Sequence, residues 1–315
     1  MKSDPFFIEG PAAISFSGGR TSAFMLHQIL QRGLQPDVHV VFCNTGREDD
    51  RTLTFVEECQ NLVGGVHIRW LEYRRKFLPK YKSPEVAETA KKIRDAFGLS
   101  FEEANGRTEP GFVEVSPPTA ARLTDPPTAH HPFLNMLAMS GVPNATTRMC
   151  TTEMKIRVVK KFMLAQGYES WTNVVGIRAD EPVRVARMRK PPPERWENSV
   201  PLADAGTTVD DVLAFWRGMP FDLQLLNDSQ LGTYEGNCDF CMLKSEAKKV
   251  RLAIERPEAM EWWTKIEEVS GSVFRPTMPF KKLRKLAVLR RLEGEGCAAL
   301  LDNEVSDLGD CFCHE

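Results

Sequence analysis

The chain has 315 residues, 42% of them hydrophobic and 27% charged, with a formal net charge of −2. That length can bury one large core and carry a smaller appended module, no stretch is apolar for long enough to cross a bilayer, and the balanced charge advertises no global attraction to nucleic acid. The opening residues Met1-Lys2-Ser3-Asp4-Pro5 lack the basic-then-apolar layout of a signal peptide, so the expected home is the cytosol, where eight cysteines stay reduced and raise metal or redox chemistry rather than disulfides.

In chain order, Ala12 to Phe16 reads as an apolar strand that gives way at Ser17-Gly18-Gly19-Arg20-Thr21-Ser22 to an amphipathic helix, Ala23 to Leu30. Two glycines let the backbone turn sharply and bring its N–H groups against an anion, Ser17 and Ser22 add hydroxyls, the helix N-terminus adds partial positive charge, and Arg20 a full one. A strand over Val38 to Phe42 ends in a second small, polar turn, Cys43-Asn44-Thr45-Gly46-Arg47, followed by a helix from about Asp49 to Leu62 and a third strand from Val66 to Leu71. The β-α-β-α-β pattern predicts a parallel sheet wrapped by helices, with the ends of the first two strands sharing a crevice.

Helical and Pro-rich insertions are expected around 77–145, and His130 and His131 in the Pro-rich loop read as solvated residues. Cys150 lies in Thr147-Arg148-Met149-Cys150-Thr151-Thr152, ahead of a predicted helix from Glu153 to Leu164 that carries Lys155. A strand over Thr172 to Val175 leads into Gly176-Ile177-Arg178-Ala179-Asp180-Glu181, with Arg184 and Arg187 beyond it. Cations gather at Arg184 to Arg195 and again at Lys281 to Arg291; each group reads as a solvated face, or as a polyanion contact given the phosphate-type turn. Asp210 to Trp216 reads as a short helix. Cys238-Asp239-Phe240-Cys241 is a turn on which two thiolates can converge on a metal, with zinc, redox and no-role readings open. Three helices follow, Ser245 to Glu255, Pro257 to Ser270 and Lys281 to Leu292, with Trp262-Trp263 as a buried anchor and a tail Asp310-Cys311-Phe312-Cys313-His314-Glu315.

Three of these blocks resemble a known family. Ser17 to Ser22 is similar to the Ser-Gly-Gly-x-Asp-Ser PP-loop of ATP pyrophosphatases, Asn44-Thr45-Gly46 resembles the second nucleotide-contacting turn of the phosphoadenosine phosphosulfate (PAPS) reductase branch, and Gly176 to Glu181 looks like that branch's Gly-x-Arg-x-x-Glu segment. The resemblance, over roughly residues 12 to 245, implies a Rossmann-like α/β fold that binds ATP or another adenine nucleotide. Ser17, Gly18, Gly19, Arg20, Thr21, Ser22, Asn44, Thr45, Gly46, Gly176, Arg178 and Arg184 would hold the nucleotide. Arg20, Arg178 and Glu181 would serve catalysis. Thr21 stands where many PP-loop ATPases carry Asp, a departure that bears on the handling of pyrophosphate and Mg. Adenylyl-sulfate reductases of this kind ligate a 4Fe-4S cluster with a Cys-Cys pair and a later Cys-x-x-Cys; Cys150, Cys238 and Cys241 fall on three of those positions and Met149 on the other.

The tail resembles the Glu-Cys-Gly-Leu-His end of PAPS reductases, which would make Cys311 a nucleophile; alternatively Cys311 or Cys313 completes the cluster as a fourth iron ligand. The function so implied is adenylation with sulfur transfer to a nucleic-acid acceptor, fed by a sulfur or thiol donor. The alternatives are an adenylyl-sulfate or PAPS reductase using Cys311, and a nucleotide-binding module with a structural metal and no turnover. The expected organisation is a nucleotide-binding α/β domain over 1–235 and a cysteine-containing helical region over 236–315.

Overall fold

A computed structural model describes residues 4–292, apart from 82, 104–108, 192–193, 226, 229–231, 234–235 and 237. Cys297, Cys311 and Cys313 therefore lie outside the described residues. The elements that frame the site are β1 (Ala12–Ser15), α1 (Arg20–Leu30), β2 (Val38–Asn44), α2 (Asp50–Cys59), β3 (Ile68–Tyr73), α3 (Pro84–Phe97), β4 (Phe112–Val115) and α4 (Pro132–Ser140). Next come α5 (Met149–Thr151), a π-helical turn at Thr152–Ile156, α6 (Arg157–Ala165), β5 (Trp171–Val175), α7 (Pro182–Met188), β6 (Trp196–Ser199), α8 (Pro201–Asp204) and α9 (Val209–Arg217). Three further helices, α10 (Glu246–Glu255), α11 (Pro257–Ser270) and α12 (Phe280–Leu292), complete the described chain. None of the described helices is long and apolar enough to cross a membrane.

Local chemistry sets several of the boundaries. Asp49 caps α2 by accepting from the Arg51 amide at 2.9 Å, and Ser83 followed by Pro84 opens α3, which Gly98 closes in the left-handed region at φ 62°. Thr208 and Asp211 form a reciprocal capping box at the start of α9.

The six strands lie in the order β4-β3-β2-β1-β5-β6. Five run parallel, the four strands read from the sequence and β6, with Ala12 in register with both Val38 and Thr172. The sixth, β4, comes from the insertion and pairs antiparallel with β3, an edge arrangement common on otherwise parallel sheets. The order also moves the crevice. The chain lays β2 and β3 on one side of β1 and then returns to place β5 on the other, so the reversal lies between β1 and β5 rather than at the β1/β2 ends. Strand count alone could not reveal which flank β5 would take.

Alternation along the strands feeds two cores. Ile14, Phe16, Val40, Phe42, Trp70 and Val174 face one side with residues of α1, α2 and α9. Ala13, Val41, Leu71 and Tyr73 face the other, where one continuous cluster includes α4, α6 and all three C-terminal helices. Trp263 of α11 sits at its centre, its ring centroid 5.3 Å from that of Phe133 and 5.8 Å from that of Phe280.

Candidate functional site

The glycine turn between β1 and α1 is shaped by close packing. Gly18 has φ +78°, and a Cβ there would stand 2.9 Å from Thr52 Cγ2 and 3.0 Å from Val56 Cγ2 of α2, so only glycine gives both the dihedral and the clearance. The hydroxyls predicted to meet an anion also knit the turn itself. The Ser17 amide donates to Ser22 Oγ at 3.2 Å, the two hydroxyls are 2.9 Å apart, and Ser22 Oγ donates to the Gly19 carbonyl at 3.0 Å. Arg20 behaves differently from the expectation of a phosphate clamp. Its guanidinium donates to both Asp222 oxygens, at 2.6 and 2.8 Å, and to the Leu223 carbonyl at 2.7 Å. Asp222 neutralises its charge, and Arg20 fastens α1 to the segment after α9.

The turn after β5 comes directly against this one. A Cβ at Gly176 would lie 3.1 Å from Ser22 Cα, so absence of a side chain lets the two backbones touch. Arg178 Nη1 donates to Thr21 Oγ1 at 3.2 Å, and its Nε donates to Asp180 at 2.9 Å. Glu181 accepts from the Arg178 amide at 3.0 Å and from Arg184. Thr21, Gly176, Arg178, Glu181 and Arg184 thus form one cluster at the strand-order reversal. Glu181 holds the two arginines together.

The third block is joined to the cysteine turn. Asn44 is fully buried; its amide donates to Glu72 at 2.7 Å and to the Ala121 carbonyl at 2.9 Å, and its oxygen accepts from the Gly46 amide at 3.1 Å. Its side chain therefore braces the turn and is not presented to a nucleotide. Thr45 Oγ1 donates to Glu48 at 2.8 Å and lies 3.5 Å from Cys238 Sγ, while Glu48 and Cys238 form a backbone bridge. Arg47 and Asp239 make a buried ion pair at 2.5 Å; the Arg47 guanidinium lies 4.2 Å from the Trp262 ring centroid, and Asp239 accepts from Trp263 Nε1 at 3.0 Å. Burial holds the Glu48 carboxyl above the usual carboxylate range, against the opposing pull of Lys155.

His131 is the residue most misjudged from sequence. It is buried, caps α4 by accepting from the Leu134 amide at 3.4 Å, and lies with Nε2 3.2 Å from the Gly46 carbonyl. With Nδ1 accepting, Nε2 carries the proton and donates. Gly46, at φ +73°, is held to glycine because a Cβ would meet that ring at 2.9 Å. Burial, with the nearby Arg47 charge, pushes the imidazole down to about 4. His130, by contrast, is exposed as expected.

Cys238 and Cys241 are buried in the cluster that also receives the half-buried Cys150. Cys150 stands in a distorted stretch: Arg148 before it has a left-handed φ of 43°, and the π turn after it carries Lys155. Such irregularities recur at functional sites. Among the described residues no three His, Cys, Asp or Glu side chains converge as a metal site. Cys43, assigned no role from sequence, is desolvated and pushed up to about 12, which keeps it a thiol.

Beside the glycine turn, on the α6 side of the sheet, lies a cavity of about 330 Å³ that reaches from Ser17 and Cys43 past Lys155 to Asn173, Trp196 and Asn198. Sequence reasoning passed over its floor, although the signal was there: Ser15, Asn173 and Asn198 are polar residues at strand positions where the pattern would place core.

The fold defines a doubly wound α/β protein with a crevice at the reversal of strand order, where ligands bind in proteins of that architecture. No family model matches the chain. Over 253 residues it is 30% identical to the uncharacterized nin region protein ORF290 of Escherichia phage lambda, an alignment covering 79% of this chain and 71% of that protein. The chain belongs to the family of that phage protein.

Proposed function

We propose that the chain is an adenine-nucleotide-dependent enzyme of the PAPS reductase-like PP-loop type, which adenylates a nucleic-acid acceptor and replaces the adenylate with sulfur. The observation that carries this reading is the meeting of the glycine turn and the Gly176–Arg178 turn at the strand reversal. An acceptor oxygen attacks the α-phosphorus of ATP as the bond to pyrophosphate breaks; a sulfur nucleophile supplied by the donor then attacks the acceptor carbon, and AMP leaves with that oxygen. The first amides of α1 face the phosphates, and Arg178 and Arg184 stabilise charge developing on their oxygens. Arg20 holds the turn from behind. Thr21, without a carboxylate, leaves any Mg to be held by the nucleotide's own phosphates.

In this reading Cys150, Cys238 and Cys241, which share one apolar cluster, are the thiols that handle sulfur. An iron–sulfur cluster on them would supply an open iron for sulfide. Iron and zinc content after anaerobic purification tests that part. The reaction itself is tested by supplying ATP with nucleic acid, or PAPS with a thiol, and assaying pyrophosphate and sulfite. Pyrophosphate that depends on nucleic acid is the expected result. Sulfite that depends on Cys311 would replace the proposal with sulfonucleotide reduction, and binding without either product would reduce it to a nucleotide-binding module.

A further inference from the structure

Polar side chains on a sheet face beneath a helix are costly unless paired, and three of them are linked across the floor of the cavity, Asn173 in register with Asn198 and Ser15 reaching it on the diagonal. Ser15 of β1 donates from Oγ to Asn173 Oδ1 of β5 at 3.0 Å; Asn173 Nδ2 donates to Asn198 Oδ1 of β6 at 3.2 Å; Asn198 Nδ2 donates to the Met188 carbonyl at 3.3 Å. A carboxamide has two hydrogens and two strong acceptor positions. The ladder uses one of each on Asn173 and leaves one N–H and one lone pair on a residue that lines the cavity. Adjacent donor and acceptor are what the amino group and neighbouring ring nitrogen of adenine satisfy with a single Asn. Around this floor the cavity has an apolar wall from Ile156 and Val159 and an aromatic one from Trp171 and Trp196, whose rings stack at 5.4 Å. Its volume of about 330 Å³ lies at the small end for ligand sites, and it begins at Ser17, the first residue of the glycine turn.

We infer that the Ser15–Asn173–Asn198 ladder is the base-reading element of this protein, with adenine lying over β5 and β6 and its amino group held by Asn173. The inference rests on the nucleotide reading above and adds the residues that choose the base. Binding of adenosine and of purine riboside, which lacks only the amino group, is measured by calorimetry on the full chain. Adenosine is expected to bind about tenfold to a hundredfold more tightly, the range of one bidentate base contact, and Asn173→Leu is expected to bring adenosine down to the level of purine riboside while affinity for inorganic pyrophosphate is unchanged. Equal affinity of the wild-type chain for the two nucleosides, or failure to bind adenosine, overturns the inference without recourse to any variant. If ATP binds in a way that depends on Gly176 but not on Asn173, the ladder falls and the nucleotide reading stands. If adenosine binds through Asn173 while neither ATP nor pyrophosphate engages the glycine turn, the ladder stands and the proposed reaction falls.

Discussion

Gly18 and Gly176 are glycines for different physical reasons, and substitution separates them. At Gly18 an alanine meets both a disfavoured φ of +78° and the Thr52 methyl at 2.9 Å, so Gly18→Ala is expected to cost about 1–3 kcal/mol of stability in urea denaturation. Gly176 has an ordinary φ but backbone 3.1 Å away at Ser22; Gly176→Ala should wedge the two turns apart and weaken ATP binding about tenfold, with a much smaller effect on the urea midpoint. His131 gives a pH signature. Folded, its imidazole titrates at about 4 against an ordinary 6.5, so between those values only the unfolded chain takes up the proton. Stability contributed at neutral pH is therefore lost as pH falls from 6.5 toward 4, by about 3 kcal/mol at most. The buried carboxyls of Glu48, Glu72 and Glu267, held up by desolvation, act in the opposite sense and erode stability as pH rises through their titration. The difference in pH dependence between wild type and His131→Gln isolates the histidine, and a flat difference would refute its buried, neutral state.

The joint between the β2 turn and the cysteine turn is an element-scale device. Arg47 and Asp239 are buried on both sides of their contact, and Asp239→Asn keeps an acceptor for Trp263 while leaving the Arg47 charge without its counterion. A loss of about 3–5 kcal/mol in chemical denaturation is expected, as for other broken buried pairs. This joint also marks the limit of what the sequence disclosed. Apolar runs and glycine spacing revealed β1, β2, β5 and the helices around them, because strand and helix periods are local signals. The meeting of Thr21, Gly176 and Arg178 is not a local signal; only the family resemblance linked those blocks. Partnerships across long separations stayed hidden: Asp222 taking the charge of Arg20, Glu72 and Ala121 saturating Asn44, and Gly46 drawing His131 out of a Pro-rich loop that composition marked as solvated. The antiparallel β4 was likewise concealed, its four residues lying half-exposed or exposed.

At the scale of the whole molecule, the expected boundary near residue 235 does not divide the apolar interior. Sheet residues Ala13, Val41 and Leu71 share one cluster with Trp263, Phe274 and Phe280. Far-UV circular dichroism and tryptophan fluorescence are therefore expected to report a single coincident unfolding transition, and a chain ending after Ser245 is expected to be insoluble or molten, since it would uncover the apolar side chains of α3 and α4 against which α11 packs. Two separated transitions would instead assign the C-terminal helices an independent fold.

The pairing of Arg20 with Asp222 and Leu223 has a consequence for the order of biosynthesis. Some two hundred residues lie between the partners, so on the ribosome the first strand and helix emerge long before the carboxylate that fastens them. A nascent chain halted short of that carboxylate would carry the glycine turn with its arginine still unanchored, and competence for ligand would arrive late in translation, with the segment that follows α9.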